Sequence, residues 1–172
     1  MSINYVYCSR LNVEPYSLYI AATDRGFCYV GSNQGNLEEV KQWVDKHVSN
    51  AQLVLDDGFL QPYSEQLSDY FNQKRTDFDM PLDIRGTTFQ QKVWHTLRTI
   101  PFGEVKTYSE IAYLIGKPRA VRAVALAIGQ NPIMIIVPCH RVIRKDGSIS
   151  GFRGGVHMKR LLQQLESDVI NK

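Results

Sequence analysis

The sequence predicts an α+β protein in which a small N-terminal antiparallel sheet with helices precedes a mainly helical domain. Segments rich in aromatic and β-branched residues come first, and segments with apolar residues at helical spacing follow. Charge also divides along the chain: residues 1–83 carry 6 Lys and Arg against 12 Asp and Glu, and residues 84–172 carry 14 against 5. With 172 residues, of which 44% are apolar, the chain is long enough for two small domains, predicted at 1–83 and 84–172.

The first domain is predicted to begin with three strands. The runs YVYCSRL, YSLYIAAT and FCYVGS are rich in aromatic and β-branched residues and are separated by the turn clusters NVEP and TDRG. LEEVKQWVDKHV and QPYSEQLSDYFNQ then place apolar residues at helical spacing, so two helices should pack against the sheet. A polar segment from Arg75 to Asp83, which contains Pro81, is the expected seam between the domains.

The second domain is predicted to open with three helices. Thr88 and Gln91 have the spacing of a capping box that starts the first helix. Thr107 and Glu110 form a second capping box, which opens a short helix that ends at Gly116. A third helix follows, with the proline of the GKP turn in its first turn and the GQNP breakers at its end. Two short helices joined by a tight turn predict a helix-turn-helix.

The third helix is predicted to have two unlike faces. Its core face is formed by Val121, Val124, Ala125 and Ile128. Its opposite face carries cations with small or apolar residues, and these are candidate DNA contacts: Arg119, Arg122, Ala123 and Leu126. Small residues permit close approach to DNA, and an arginine or apolar side chain can wedge between base steps in the minor groove. Exposed alanine and leucine also occur on ordinary surfaces, so this face alone leaves both interpretations open.

The basic excess of residues 84–172 is typical of phosphate binding or of a solvated surface, and charge alone does not separate the two. The N-terminal stretch lacks a basic region followed by an apolar one, and no long apolar run exists, so neither export nor a membrane is indicated. Three cysteines without a C-x-x-C pair indicate neither a disulfide framework nor a zinc ribbon. We therefore expect the protein in the cytoplasm.

Cys139 is the candidate nucleophile. It follows the apolar run IMIIV, which is predicted to be a strand, and lies in the hexapeptide PCHRVI. A single cysteine after an apolar strand is most often a small buried hydrophobe. His140 and Arg141 follow it, however, and an imidazole or a cation favours the nucleophilic thiolate. Because neighbours in sequence need not touch, both interpretations stand at this point.

The region around this hexapeptide resembles the active site of the O6-alkylguanine-DNA alkyltransferases, which are methylated-DNA-protein-cysteine methyltransferases. PCHRVI is preceded by RAVRAVALAIGQNP and followed by DGSISGFRGG, and the similarity extends through FQQKVW, IPFGEVKTYSEIA and LLQQLE. It covers roughly residues 84–167, whereas the N-terminal half agrees only in its sheet-and-helix character. The resemblance implies a ribonuclease-H-like first domain and a winged helix-turn-helix second domain that carries the active site.

The resemblance implies direct-reversal DNA repair. Cys139 would take the alkyl group from O6-alkylguanine in DNA, and O4-alkylthymine is a possible second substrate. The product is a thioether, which has no polarised carbonyl for water to attack, so each molecule reacts once. The alkyl group comes from the damaged DNA, so no cofactor is required, neither adenosylmethionine nor a metal. Some relatives bind a structural zinc, but Cys8 and Cys28 alone do not supply that ligand set.

Roles for other residues also follow from the resemblance. His140 would activate the cysteine through a water molecule, with Glu166 behind it on the C-terminal helix. Tyr108, at the start of the second short helix, would donate a proton to the departing base. Arg122 would fill the gap left when the damaged nucleotide is rotated out of the stack. Helical spacing alone puts Glu166 four positions after Leu162, at the edge of an apolar stripe where a carboxylate needs a partner, and the alternative is an exposed residue near the chain end. For Tyr108, the alternative to a donor is a packing residue at the domain seam.

The substrate pocket implied by the resemblance contains Asn131, Val142, Phe152, Arg153 and Met134. Asn131 would hold the turn between the recognition helix and the active-site strand, and backbone groups at Cys139, Val142 and Arg153 would bind the base edge and O6. Phe152 replaces a frequent tyrosine, Arg153 and Met134 add bulk at the mouth, and Leu126 stands where a smaller residue is common. These departures leave the accepted size of the alkyl group open.

The implied partner is double-stranded DNA containing O6-alkylguanine, bound through its minor groove by a monomer. A first alternative is a Cys-dependent hydrolase that uses Cys139, His140 and Glu166, which would turn over repeatedly. A second is a noncatalytic winged-helix protein that binds damaged DNA, like relatives whose motif lacks the acceptor cysteine. The basic helix-turn-helix argues against the first alternative, and the presence of Cys139 argues against the second.

Overall fold

An α+β architecture is present in the computed structural model, which describes residues 2–172. The chain divides into two units, one that ends at Arg85 and one that spans Gly86–Lys172. The first combines a four-stranded sheet with two helices, and the second is mainly helical, so the predicted fold class is confirmed. Within the described residues, no helix has the length and apolar character needed to cross a bilayer.

The sheet of the first unit contains the three predicted strands and one more. β1 (Asn4–Val13), β2 (Tyr16–Thr23) and β3 (Gly26–Val30) are antiparallel neighbours. β4 (Ala51–Leu55) pairs parallel with β1, which gives the order β3-β2-β1-β4. The sequence does not predict β4 because AQLVL lacks a regular alternation and lies between turn clusters. The sheet is therefore mixed at one edge rather than wholly antiparallel.

Both predicted helices of this unit are present. α1 (Leu37–His47) covers one face of the sheet, where a buried cluster forms from Val6, Cys8, Ala21, Cys28, Tyr29, Val40, Val44 and Val48. α2 (Asp57–Phe71) begins earlier than predicted, because the Asp56 side chain caps it by accepting from the Phe59 amide at 2.9 Å. Pro62 therefore lies in the second turn of α2.

The predicted seam segment belongs to the edge of the first unit. The Phe27 amide donates to the Pro81 carbonyl, and the Asp83 amide donates to the Phe27 carbonyl, both at 2.9 Å. Gly26 permits this approach, since a Cβ there would lie 2.5 Å from the Pro81 oxygen. The division between the units accordingly falls after Arg85.

The second unit contains four helices, two short strands and a single 3₁₀ turn among its described residues: α3 (Thr88–Leu97), β5 (Lys106–Thr107), α4 (Tyr108–Leu114), α5 (Val121–Gly129), the 3₁₀ turn Cys139–Arg141, β6 (Val142–Ile143) and α6 (Val156–Ile170). β5 and β6 pair in parallel, and this pairing connects the start of α4 to the segment that follows the 3₁₀ turn. The helix-turn-helix is formed by α4 and α5.

The capping box of α3 lies one residue earlier than predicted. Thr87 caps the helix by accepting from the Gln90 amide, and the Gln90 side chain accepts from the Thr87 amide. The segment TTFQQ offers two overlapping boxes with the same spacing, and the helix begins at the first. The second predicted box, Thr107 with Glu110, is present as expected and places Tyr108 at the first residue of α4.

Two further predictions in this unit are wrong. α5 begins at Val121 and not at Pro118, because residues 117–120 form a turn closed by the Ala120 amide on the Lys117 carbonyl at 2.9 Å. The run IMIIV is a buried turn and not a strand, since the Val137 amide returns to the Ile133 carbonyl at 2.9 Å. Strong apolar character predicted the burial of this segment correctly and its conformation incorrectly.

Candidate active site

Cys139 lies at the wall of a small cavity in the second unit. The cavity has a volume of about 40 Å³ and is lined by Tyr108, Ala125, Ile128, Gly129, Asn131, Cys139, Gly151, Phe152 and Arg153. Five of these are predicted site residues, and they come from separate parts of the chain: the start of α4, the segment after α5, the 3₁₀ turn and the loop before α6. The fold therefore gathers them around the thiol.

Asn131 fixes the segment that leads into Cys139. Its Nδ2 donates to the Val137 carbonyl at 2.8 Å, and its Oδ1 accepts from the Ile133 amide at 3.0 Å. Both ends of the buried turn are thus tied to one side chain. Burial raises the pKa of the Cys139 thiol, whereas a hydrogen bond with Asn131 and the positive charge of Arg153 lower it.

His140, Arg141 and Glu166 form a buried cluster beside the cysteine. His140 Nε2 lies 2.7 Å from Glu166 Oε1. Arg141 donates to the same carboxylate, from Nε to Oε2 at 3.0 Å and from Nη2 to Oε1 at 2.8 Å. Its Nη1 donates to the Ile100 carbonyl at 2.7 Å. The carboxylate therefore contacts both residues that follow Cys139, and its contact with Arg141 is bidentate, as is typical of arginine.

The charge states of this cluster follow from its burial and pairing. Burial raises the pKa of Glu166, but the hydrogen bonds and charges of His140 and Arg141 outweigh it and bring the pKa down to about 2. Burial lowers the pKa of His140, and the Glu166 carboxylate opposes that shift. A neutral His140 that donates from Nε2 to Glu166 has its lone pair on Nδ1, so it can accept a proton.

Tyr108, Ser150 and Lys159 form a second polar cluster. The Tyr108 hydroxyl is hydrogen-bonded to Ser150 Oγ, and Lys159 Nζ donates to the same oxygen at 3.1 Å. Lys159 Nζ also lies 6.0 Å from the centroid of the Tyr108 ring. The cavity-lining tyrosine is therefore connected to a buried ammonium group through one hydroxyl.

The residues predicted to face outward on the helix-turn-helix are exposed to solvent. Arg122, Ala123 and Leu126 are exposed on α5, and the Leu126 side chain is 64% exposed. Arg119 is exposed too, although it lies in the turn before α5. On the inner side, Val124, Ala127 and Ile128 are buried, while Val121 and Ala125 are half-buried.

The predicted pocket residues fall into two groups. Phe152 and Arg153 line the cavity, and Arg153 donates from Nε to the Asn131 carbonyl at 3.3 Å and from Nη2 to the Pro132 carbonyl at 3.2 Å. Met134 and Val142 are fully buried and are not among the described residues that line the cavity. Of the two residues expected to add bulk at the mouth, Met134 is therefore buried away from the cavity and Arg153 lines it.

Three contributions to the site are not predicted from the sequence. Lys159 and Ser150 are buried beside Tyr108, and Arg141 is the ion-pair partner of Glu166. Helical spacing could have indicated that Lys159 is buried near the site, because it precedes Glu166 by seven residues and so lies on the same face of α6. Ser150 has no such signal, because it lies in an irregular loop whose path depends on tertiary packing.

Comparison with known proteins matches both units to one family. Residues 6–84 match the family model described as "6-O-methylguanine DNA methyltransferase, ribonuclease-like domain". Residues 88–168 match the model described as "6-O-methylguanine DNA methyltransferase, DNA binding domain". Together the two models cover nearly the whole chain.

Similar curated proteins and solved structures carry related names. The inducible methylated-DNA--protein-cysteine methyltransferase of Bacillus subtilis is 47% identical over 94% of this chain and 90% of its own length. A protein of the same name without "inducible", from Mycobacterium bovis, is 48% identical over 79% of this chain and 81% of its own. The crystal structure of Mycobacterium tuberculosis OGT in complex with DNA superposes with a TM-score of 0.81 at 40% identity, over 95% of this chain and 94% of that one.

Proposed function

This chain belongs to the 6-O-methylguanine DNA methyltransferase family and so repairs alkylated DNA by direct transfer of the alkyl group to a protein cysteine, and we propose that the acceptor is Cys139. The observation that carries this assignment is the position of Cys139 at the wall of a cavity, directly before the buried His140. Burial raises the pKa of all three thiols, but for Cys139 a hydrogen bond with Asn131 and the positive charges of Arg153 and Lys159 oppose that rise. For Cys8 and Cys28, which are fully buried in the first unit, the charges of Asp57 and Asp83 add to it.

The proposed reaction is a single displacement at the alkyl carbon. The thiolate of Cys139 forms a carbon–sulfur bond as the bond between that carbon and guanine O6 breaks. The electron pair of the broken bond stays on the base, which then takes up a proton. Because the resulting thioether offers water no polarised carbonyl, the cysteine is not regenerated and each molecule acts once.

His140 is the proposed acceptor of the thiol proton, through a water molecule. Burial keeps its imidazole neutral, and the hydrogen bond to Glu166 leaves Nδ1 as the basic nitrogen. The negative Glu166 carboxylate also stabilises the imidazolium that forms when the proton arrives. Tyr108 is the proposed donor to the departing base, since it lines the cavity and its hydroxyl has a proton to donate.

The substrate is proposed to be O6-alkylguanine in duplex DNA, bound from the minor groove. A stacked base cannot present its O6-linked carbon to a buried thiol, so the nucleotide must rotate into the site. Arg122, which is exposed, is proposed to fill the vacated position, and Arg119, Ala123 and Leu126 are proposed to make the surrounding contacts. O4-alkylthymine, which carries the same kind of O-alkyl group, is a second candidate substrate.

The cavity must widen to accept a base. A volume of about 40 Å³ holds a few water molecules at most. The loop that carries Phe152 and Arg153 also contains Gly151, Gly154 and Gly155. The hydrogen bonds from Arg153 to the backbone carbonyls are long. Movement of this loop, with Arg153 released from Asn131 and Pro132, would open the site, and its extent would set the size of alkyl group accepted.

We propose that the protein acts as a monomer in the cytoplasm. The candidate DNA-binding residues and the candidate nucleophile lie in the same unit of one chain, so a single copy carries a complete site. All three cysteines are free thiols, as expected in a reducing compartment. A Cys-dependent hydrolase would use the same thiol and imidazole, but the match to the family models gives it no support.

The direct test is the intact mass of the protein after incubation with a duplex containing O6-methylguanine. We expect a gain of one methyl group per molecule, lost in Cys139→Ala and retained in the control Cys8→Ala. Repeated turnover would indicate the hydrolase alternative, and tight binding of the damaged duplex without a mass gain would indicate a noncatalytic damage-binding protein. A methyl group on any residue other than Cys139 would overturn the assignment.

A further inference from the structure

Ile135 has a backbone conformation that isoleucine rarely adopts. Its φ is 81°, in the left-handed region that favours glycine, and the residue is 1% exposed. The other non-glycine residues with a positive φ in the described part of the chain are exposed Gln or Asn residues: Gln34, Asn50 and Gln73. A branched Cβ makes the left-handed region costly for isoleucine, so this conformation persists only because the surrounding structure enforces it.

The buried turn at residues 133–137, with Ile135 at its centre, is held at both ends. The Val137 amide donates to the Ile133 carbonyl at 2.9 Å. The Asn131 side chain accepts from the Ile133 amide at 3.0 Å and donates to the Val137 carbonyl at 2.8 Å. All five residues of the turn are buried, so a wider loop would expose apolar side chains to water. Ile135 therefore adopts the conformation that the two ends of the turn require.

The Val137 carbonyl connects this turn to the candidate nucleophile. It accepts from Asn131 Nδ2 and from the Cys139 amide, both at 2.8 Å. Asn131 also forms a hydrogen bond with the Cys139 thiol, which lowers the pKa of that thiol. A change of backbone conformation at Ile135 would move the Val137 carbonyl, and it would therefore disturb both the amide and the thiol of the cysteine.

The opposite wall of the cavity is held less firmly. Arg153 donates to the Asn131 carbonyl at 3.3 Å and to the Pro132 carbonyl at 3.2 Å, and its loop contains three glycines. The proposed widening of the cavity breaks these two hydrogen bonds and leaves those of the turn at 133–137 intact. The thiol can thus stay in place while the loop that carries Arg153 moves.

We propose that Ile135 is a positioning residue whose strained backbone keeps the turn at 133–137 in one conformation and so holds the Cys139 thiol in line with the alkyl carbon while the cavity opens. Glycine would fit the same φ without strain, but it would also permit many other conformations. Displacement of a reacting atom by about 1 Å can slow a reaction about 100-fold, so a rigid turn favours transfer. This role rests on the proposed transfer to Cys139.

The first experiment compares Ile135→Gly with Ile135→Ala. Both variants lose the packing of the side chain, but alanine is strained at a φ of 81° and glycine is not. Ile135→Gly should therefore unfold at the higher temperature, by about 2–4 °C. Its single-turnover methyl transfer from duplex O6-methylguanine should nevertheless be slower than that of Ile135→Ala, by about 10- to 100-fold, because the flexible turn no longer fixes the thiol.

Ile133 is the matched control, because it is fully buried in the same turn and has no positive φ. There the usual order applies, and Ile133→Gly should unfold at a lower temperature than Ile133→Ala. If Ile135 served packing alone, the more stable of its two variants would also be the faster. The opposite order at Ile135 is the result that distinguishes positioning from packing.

A second readout is the apparent pKa of the Cys139 thiol, obtained from its rate of alkylation by iodoacetamide between pH 6 and 10 and assigned by peptide mass. Ile135→Gly should raise this pKa relative to Ile135→Ala, because the hydrogen bond with Asn131 is weakened. In an Asn131→Ala background, the two variants should react alike. The charged or titratable groups around the thiol are unchanged in every variant: Tyr108, His140, Arg153 and Lys159.

Should Ile135→Gly or Ile135→Ala fail to fold, Ile135→Val and Ile135→Leu provide the comparison, because each keeps most of the apolar volume. Ile135→Val retains the branched Cβ and should transfer at the wild-type rate, whereas Ile135→Leu lacks it and should be slower. Equal rates within either pair, or rates that follow the unfolding temperatures, would overturn the proposal. Absence of methyl transfer by wild type would instead reject the proposed function, so the two failures are distinguishable.

Discussion

The Glu166 carboxylate links the stability of the second unit to the reactivity proposed for Cys139. One carboxylate accepts hydrogen bonds from His140 and from Arg141, and it is almost completely buried. The hydrogen bonds of His140 and Arg141 keep Glu166 ionised, and the ionised carboxylate in turn orients His140. A change at Glu166 should therefore alter both the free energy of unfolding and the rate of transfer, because the same atoms serve both.

Glu166→Gln tests this dual role. Removal of the carboxylate charge leaves the Arg141 guanidinium buried without its partner, so we expect a loss of about 3–5 kcal/mol in the free energy of unfolding. Transfer from duplex O6-methylguanine should also slow, because the imidazolium of His140 is no longer stabilised. Urea unfolding and single-turnover kinetics measure the two effects. Asp168→Asn, an exposed position on the same helix, is the matched control and should change neither.

The pH dependence of stability provides an independent readout for Glu166. Its pKa is lowered from 4.5 to about 2 in the folded protein, so its contribution is complete above pH 4.5 and is lost as the pH falls toward about 2. A shift of this size corresponds to about 3 kcal/mol. Wild type should lose more stability than Glu166→Gln between pH 5 and 2, and parallel curves for the two proteins would contradict the linkage.

Sequence reasoning reached some residues of the site and not others, for identifiable reasons. Cys139, His140 and Glu166 were accessible because a contiguous motif and a helical stripe carry them. The same helical spacing could have identified Lys159, but a charged residue near an apolar stripe is ordinarily assigned to the solvent-exposed edge of that stripe. Ser150 was out of reach, since nothing local fixes the path of its loop.

At the scale of elements, α5 is positioned by side chains of α3. Trp94 Nε1 donates to the Ala127 carbonyl at 2.8 Å, and Gln90 Nε2 donates to Gln130 Oε1 at 2.7 Å, just beyond the helix. These contacts hold the end of α5 while its outer face, with Arg122 and Leu126, stays exposed. The faces of α5 were predictable from periodicity, but its first residue was not, because the fixed φ of proline suits a turn as well as a helix.

Arg122→Ala tests whether the exposed face of α5 supports base rotation. Unstacking a nucleotide costs a few kcal/mol, and the arginine should offset part of that cost, so we expect repair of duplex DNA to slow by about 10- to 100-fold. Transfer from free O6-alkylguanine base requires no unstacking and should be almost unchanged. Arg160→Ala, which removes an exposed arginine from α6, is the control. Equal losses on duplex and free base would contradict this role.

At the scale of the whole molecule, charge follows the division into units. The first unit, to Arg85, contains 7 Lys and Arg against 12 Asp and Glu, and the second contains 13 against 5. This asymmetry and the α+β class could both be predicted from the sequence. Composition and periodicity are averaged over long segments, so small errors in element boundaries do not change them. The parallel pairing of β4 with β1 was not visible, since it joins segments far apart in the chain and leaves no local pattern.

The same asymmetry predicts where the salt dependence of DNA binding originates. Each phosphate neutralised by a cation releases a counterion, so removal of one phosphate contact should reduce the slope of log K against log salt by about 1. Arg119→Gln, at an exposed position in the basic unit, should reduce the slope on undamaged and damaged duplexes alike. Lys41→Gln, which removes an equal charge from the acidic unit at a site paired with Asp45, should leave the slope unchanged.

Titration of fluorescent duplex between 50 and 300 mM salt distinguishes these outcomes. A reduced slope in Arg119→Gln alone would assign phosphate binding to the helix-turn-helix surface. Equal reductions in both variants would mean that net charge, and not a defined surface, controls affinity, because a long-range field does not depend on which unit loses the charge. An unchanged slope in Arg119→Gln with normal affinity would show that this residue does not contact DNA phosphates. The phosphate contacts would then be made by other cations of the second unit.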